Sequence, residues 1–197
     1  MIDLGPTANR LGDLIASVNE NDLLRETPCG GYRVGALLDH IGGVTLAFGG
    51  AAMKATGPSS MMGPAGDASN LPNDWRDRLP GRVRGLADDW LDPEAWNGIT
   101  RVGGGELPAE TAGIITLGEL AVHGWDLATA TGRNFAPDAS AVEPLYGLVS
   151  QVFGPGNDAA RGAAFGPAVP VSEDAPLFNQ VLGLLGRDPT WSAAASR

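Results

Sequence analysis

Residues 117–132 have the sequence LGELAVHGWDLATATG, and this stretch decides how the rest of the chain can pack. The helix that it predicts carries apolar side chains on nearly all sides, as expected for a helix at the centre of a fold. We expect the helix to end at Gly132, because glycine is common just beyond a helix C-terminus. Three polar residues, Glu119, His123 and Asp126, interrupt the apolar pattern. An unpaired carboxylate on a packed helix is costly, so Glu119 needs a partner.

Helical periodicity predicts further helices on both sides of this one, which itself begins near Pro108. They cover residues 6–24, 34–48, 75–90, 138–153 and 175–185. Pro80 is expected to kink the third helix or to delay its start. Residues 98–107 are interpreted as a short extended piece, and residues 57–74 as a long loop, with a lid over a site as the alternative. Several amphipathic helices without a series of alternating strands predict an all-α bundle.

Composition is typical of one globular domain. The 197 residues are 43% hydrophobic and 18% charged, and they suit a single domain over residues 1–197. We expect no membrane span, because no run approaches the roughly 18 continuous apolar residues that a span requires. The N-terminus lacks a basic region followed by an apolar block, so we expect a cytoplasmic protein.

Charge and cysteine content limit the partners. Thirteen Lys plus Arg against 23 Asp plus Glu give a formal charge of -10, which would repel nucleic acid and anionic membranes. We therefore expect a small-molecule substrate, and the sequence leaves a homodimer open. Cys29 is the only cysteine, which excludes an intramolecular disulfide and agrees with a reducing compartment. We interpret Cys29 as a small buried hydrophobe rather than a reactive thiol.

Glu119 and His123 are four residues apart and therefore project from the same face of their helix. Three arrangements can satisfy the carboxylate. It can form an ordinary pair with His123 on a partly wet edge, it can bind an arginine such as Arg25 or Arg33, or it can bind a divalent metal together with a ligand from elsewhere.

His40 is the second of only two histidines, and it lies on the second predicted helix at the boundary of an apolar stripe. If the two helices pack side by side, His40, Glu119 and His123 form a set of two histidines and one carboxylate. Catalytic zinc sites use this set and leave coordination positions open for water or substrate. The residues alone leave the metal site open against a hydrogen-bonded pair of core histidines.

Four residues near Glu119 and the two histidines in the predicted helices could also belong to the site. Asp126 follows His123 by three residues, so it can orient the imidazole or remain a solvated carboxylate. Trp125 and Asp39 point away from the histidines, and we expect a core residue and a surface charge. Thr116 lies one turn before Glu119 and either lines the pocket or bonds a backbone carbonyl.

The glycine runs do not predict a phosphate site. The pair that begins at Gly30 and the triplet that begins at Gly103 both lack the spacing of phosphate-binding loops between a strand and a helix.

Three segments together resemble a known family: TPCGGYRVGALLDHIGG at 27–43, ELAVHGWDLATATG at 119–132 and FGPAVPVSEDAPLFNQVLGLLGRDPTW at 165–191. They are similar to the DinB-like metal-binding helix bundles, in particular to the actinobacterial branch related to the N-terminal domain of mycothiol-dependent maleylpyruvate isomerase. The resemblance covers most of the chain. It implies an all-α, DinB-like four-helix bundle with additional C-terminal helices and irregular segments.

The resemblance also implies a ligand set. In that family a histidine on the second helix and a Glu-x-x-x-His pair on the third bundle helix hold the metal, and these positions match His40, Glu119 and His123. The expected ion is divalent, with zinc preferred over nickel or iron, since imidazole and carboxylate suit several ions.

Family members with known activity transfer or isomerise small electrophiles with a low-molecular-weight thiol such as mycothiol, which the metal activates as thiolate. The resemblance therefore implies a thiol-dependent transferase or isomerase, with hydrolysis by a metal-bound water as a third reaction. The isomerase has a further C-terminal domain, and we expect this chain to be too short for a full copy, so mycothiol use stays open. The alternatives are a non-catalytic metal-containing binding protein and a biosynthetic enzyme that uses the metal as a Lewis acid.

Overall fold

The computed structural model describes residues 1–56, 66–154, 156–161 and 165–193. The elements in these ranges are α1 (Gly5–Ser17), α2 (Val34–Ala52), α3 (Trp75–Asp89), β1 (Ile99–Val102), β2 (Gly105–Pro108), α4 (Ala109–Thr131), α5 (Ala139–Phe153) and α6 (Leu177–Leu184). Short 3-10 turns occupy Glu20–Asp22, Ala68–Asn70, Pro93–Trp96 and Asp158–Arg161. The mostly helical architecture confirms the all-α prediction.

A bundle of α1, α2, α3 and α4 forms the body of the described structure. α1 and α2 each pack against both α3 and α4, while α5 packs on the outer side of α4 and against α6. α4 therefore has two buried faces. Leu117, Leu120 and Leu127 belong to the bundle core, whereas Ala121 and Val122 belong to a second apolar cluster with α5 and α6. This double burial explains why apolar side chains surround α4 on nearly all sides.

Some details of the helices differ from the sequence predictions: α2 continues to Ala52 instead of residue 48, and α6 is shorter than the predicted 175–185. α1 ends at Ser17 instead of residue 24, because a tight turn follows in which the Asn19 backbone N–H donates to the Asp22 carboxylate. α3 begins at Trp75 and continues through Pro80, so the delayed start was wrong. α4, which carries the Glu-x-x-x-His pair, is the fourth helix along the chain, as helical periodicity predicted, whereas the resemblance implied the third bundle helix.

The extended piece at 98–107 is an antiparallel hairpin of β1 and β2, with Val102 opposite Gly105. Gly103 and Gly104 form its two-residue turn with φ angles of 59° and 81°, which favour glycine. The glycine triplet thus contributes to a hairpin turn, where the backbone conformation favours glycine. Of the predicted loop, residues 57–65 lie outside the described residues, and residues 66–74 contain only a 3-10 turn and irregular structure. Half of the segment to which the lid alternative applies therefore lies outside the described residues.

α2 corrects the expectation that no segment is apolar enough to cross a membrane. Val34–Ala52 passes that test by length and composition, with a mean hydropathy of 1.3 over its best window. However, 72% of this window is buried inside the protein, as in the core helix of a soluble bundle. The length and composition of α2 are therefore only weak evidence for a membrane segment.

We predict that Gly113→Ala destabilises the fold. A Cβ at Gly113 would lie 2.5 Å from the ring of Trp96, and this overpacking should lower the free energy of unfolding by about 1–3 kcal/mol. Gly147→Ala is the matched control, because Gly147 is an exposed position of α5 with no atom within 4 Å of an added Cβ. That control should gain stability, by about 0.5–1 kcal/mol, through helix propensity. Urea unfolding measures both changes, and equal effects would contradict the packing shown here.

Candidate metal centre

α2 and α4 bring His40, Glu119 and His123 together. His40 Nε2 lies 3.0 Å from His123 Nε2 and 3.3 Å from Glu119 Oε2. His123 Nε2 lies 3.1 Å from the same carboxylate oxygen, so the three atoms form a nearly equilateral triangle. Ligand atoms at about 2.1 Å from one ion lie roughly 3.0–3.4 Å apart in octahedral or tetrahedral geometry. The donor set therefore fits a divalent cation.

Local structure explains this convergence. Glu119 and His123 are one turn apart on α4, and His40 is on the buried side of α2, which packs directly against α4. The two imidazole rings meet edge to face, with centroids 4.6 Å apart. His40 and His123 are 9% and 7% exposed, whereas the Glu119 side chain is 24% exposed. The triangle is therefore shielded on its histidine side and more accessible at the carboxylate.

Asp126 lies behind His123 and contacts its other ring nitrogen. The Asp126 Oδ2 atom is 3.0 Å from His123 Nδ1, so a proton on Nδ1 leaves Nε2 free to act as a ligand. Asp126 is fully buried, and Arg187 approaches the same oxygen at 3.4 Å. The solvated alternative for Asp126 does not occur in this fold.

The electrostatics of the cluster favour an ionised Glu119 with positive partners. Burial raises the pKa of Glu119, but hydrogen bonds with His123 and His40 outweigh burial and hold that pKa well below its usual range. Burial lowers the pKa of His123, but hydrogen bonds with Asp126 and Glu119 outweigh it and raise the pKa to about 9. The two carboxylates thus require Arg187 and one further positive charge. A divalent ion or a protonated His123 supplies that charge.

The structure contradicts the two arginines considered as partners for Glu119. Arg25 pairs with Asp22 at 3.0 Å, and Arg33 pairs with Glu26 at 3.0 Å. Glu119 and His123 also do not form an isolated pair, because His40 lies within hydrogen-bond distance of both residues.

Sequence reasoning missed Arg187, which follows α6 and reaches into the site. Its Nη2 atom lies 3.2 Å from Cys29 Sγ, and burial raises the pKa of that thiol to about 11 although Arg187 opposes the rise. Cys29 is therefore protonated near neutral pH. The ligand atoms of Cys29, His123 and Asp126 also lie within 4.8 Å of one another. Arg187 contacts both Cys29 and Asp126, and its positive charge disfavours a cation among these three residues.

Three other predicted residues lie outside the triangle. Trp125 packs against the second apolar cluster, and the Thr116 hydroxyl donates to the Ala112 carbonyl at 2.8 Å. Asp39 accepts a hydrogen bond from the Asp67 backbone N–H at 3.0 Å. Tyr32, which the sequence did not single out, places its ring 5.4 Å from that of His40.

A cavity of about 310 Å³ opens beside the triangle, between α4 and α5. Glu119, His123 and Arg187 lie on its wall, and most of the remaining wall is apolar. The donor atoms thus border a space that can hold a small molecule.

Comparison with known proteins gives two matches. The sequence model of the family described as the mycothiol maleylpyruvate isomerase N-terminal domain matches residues 4–128. Among solved structures, the chain is similar to the crystal structure of the mycothiol-dependent maleylpyruvate isomerase, with 14% sequence identity and a TM-score of 0.45. That alignment covers 75% of this chain and 65% of the other, so the chain spans less than two thirds of that protein's length. A search of curated proteins finds no match.

The family match contains His40, Glu119, His123 and Asp126, whereas α5, α6 and Arg187 lie beyond it. It extends over more than half of the chain. The protein therefore belongs to the mycothiol maleylpyruvate isomerase N-terminal domain family and has its DinB-like helical fold.

Proposed function

We propose that this protein is a metal-dependent enzyme that uses a low-molecular-weight thiol. It either joins this thiol to a small electrophile or uses it to isomerise the electrophile. Zinc is the proposed ion, with nickel or iron as alternatives, and His40, Glu119 and His123 are its proposed ligands. The observation that carries this proposal is the triangle of donor atoms, with sides of 3.0–3.3 Å, beside a cavity. Family membership supports mycothiol as the thiol.

A divalent ion held by this triangle would supply Lewis acidity, which lowers the pKa of a thiol or water at an open position. The chain itself fixes the geometry. Asp126 holds the proton on His123 Nδ1, and Arg187 balances the buried charge of Asp126. The apolar walls of the cavity exclude water from the electrophile.

The proposed chemistry needs only the thiol and the electrophile. In transfer, the thiol loses its proton, its sulfur forms a bond with the electrophilic carbon, and the proton ends on the product. In isomerisation, the thiol loses its proton and its sulfur adds to a carbon–carbon double bond, whose electron pair moves to the neighbouring carbon. The resulting single bond rotates, the pair re-forms the double bond as the sulfur–carbon bond breaks, and the released thiolate regains its proton. Hydrolysis by an activated water is the third reaction in order of preference.

We also propose that residues 1–197 form one cytoplasmic domain. α4 contributes to both apolar clusters, so the bundle and the α5–α6 pair share a helix and should unfold together. The lone cysteine is consistent with a reducing compartment.

We predict that Glu119→Gln, His40→Ala and His123→Ala each abolish stoichiometric metal content, because each removes one ligand. Glu110→Gln is the matched control, since it makes the same change at an exposed position in the first turn of α4. It should retain full metal content. Elemental analysis of protein purified without an affinity tag measures this, and fully loaded histidine variants would remove the ligand assignment.

We predict that chelation lowers the melting temperature without splitting the transition. An ion that binds only the folded state at about 100 times its Kd contributes about 2.7 kcal/mol, which corresponds to about 5–10 °C for a domain of this size. Differential scanning calorimetry before and after verified metal removal measures the shift. An unchanged melt would contradict a metal in the core, and two separate transitions would contradict a single domain.

We predict that the protein converts a small electrophile only when both the metal and mycothiol are present, with mycothiol consumed in transfer and regenerated in isomerisation. Metal-loaded protein should turn over, while the chelated protein and the Glu119→Gln variant should lose at least 100-fold in kcat/KM. Glu110→Gln should keep wild-type kinetics. Tight ligand binding without turnover would instead support a non-catalytic binding protein, and thiol-independent turnover would support a biosynthetic enzyme that uses the metal as a Lewis acid.

A further inference from the structure

The wall of the cavity beside the triangle is almost wholly apolar. α4 supplies one side and α5 the other, and Phe165, Leu185 and Arg187 close the remainder. The apolar side chains of this wall include Ile115, Val122, Leu148, Val152, Phe165 and Leu185. Carbon atoms therefore surround most of any molecule inside.

The charged groups on this wall already have partners. Glu119 lies within hydrogen-bond distance of both histidines. The Nη1 atom of Arg187 donates to the Leu185 carbonyl at 2.9 Å, and its Nη2 atom contacts Cys29 and Asp126, which balances its charge. Its Nε atom has no hydrogen-bond partner among the described residues, but this atom is buried and does not reach the surface of the cavity. No lining residue in the described ranges thus offers a cation whose charge is uncompensated.

This arrangement disfavours a small dianion. Even with one carboxylate of a short diacid near the triangle, the second would lie against apolar side chains and would lose its hydration without a compensating partner. A ligand with an apolar body should instead bind well in this cavity, because each buried methylene strengthens binding by about fourfold. The volume of about 310 Å³ lies at the small end of the range for ligand pockets, of order 300–1,000 Å³.

We propose that the electrophile used by this protein has an apolar body, such as one ring with a short alkyl chain, and is not a short dicarboxylate. The proposal rests on the proposed function for its reaction, and it adds the class of substrate. The reactive carbon lies at the end bordered by Glu119 and His123, and the body extends along Leu148 towards Val152.

Binding of unreactive probes to the zinc-loaded full chain tests this class of ligand apart from turnover. Isothermal titration calorimetry with phenol, 4-propylphenol and maleate should show 4-propylphenol at least tenfold tighter than phenol, and maleate weaker than both. Equal or tighter binding of maleate, or no gain from the propyl group, would overturn the proposal.

Substitutions in the cavity wall test whether 4-propylphenol binds in this cavity. Leu148 is half-buried in the cavity wall, and Leu148→Glu should weaken 4-propylphenol at least tenfold, because it places a charge against the probe. Val152→Glu, at the more exposed rim, should weaken it less and is the second variant if Leu148→Glu does not fold. Leu46→Glu is the control, since Leu46 is an exposed leucine of α2 outside this cavity. Unchanged binding in both cavity variants, with zinc content intact, would overturn the proposal.

The outcomes separate this inference from the proposed function. Selective probe binding without thiol-dependent turnover of any electrophile would retain the apolar ligand class and refute the enzyme. Turnover restricted to dicarboxylates would retain the enzyme and refute the apolar body.

Discussion

The burial of two carboxylates on α4 is the constraint on which the rest of the site depends. Asp126 is fully buried and Glu119 is largely shielded, so both need positive charge close by. Arg187 supplies part of it from a segment that follows α6, and the triangle with His40 supplies the rest through an ion or a proton. The packing of α2 against α4, and the approach of the segment after α6 to Asp126, are therefore linked to charge compensation as well as to apolar burial.

Two faces of α4 connect the fold to the proposed chemistry. Its inner face packs in the four-helix bundle, and its outer face packs against α5 and borders the cavity. Glu119 and His123 lie where these faces meet, so they contact His40 on one side and the cavity on the other. Because α4 is buried on both faces, it can hold the side chains of Glu119 and His123 in place while a small molecule enters the cavity from the α5 side. The family match ends within α4, so it includes the α4 side of the cavity and not the α5 side.

Helical periodicity allowed much of this to be predicted, and its limits are physical. The shared face of Glu119 and His123 follows from their spacing alone, whereas bringing His40 to them requires knowledge of helix packing, which came from the family resemblance. The end of α1 was missed because a local bond between Asn19 and Asp22 overrides an apolar pattern that continues. Arg187 and Cys29 could not be placed, because they are 158 residues apart and meet only through tertiary structure.

X-ray absorption at the zinc edge tests the proposed ligand set, because it reports the atoms bound to the ion. We predict two imidazole nitrogens and a carboxylate oxygen at about 2.0–2.2 Å, completed by light atoms in the absence of added thiol. Scattering from a protein sulfur at about 2.3 Å would place Cys29 in the coordination sphere and contradict the site described here. A spectrum without imidazole scattering would contradict it as well.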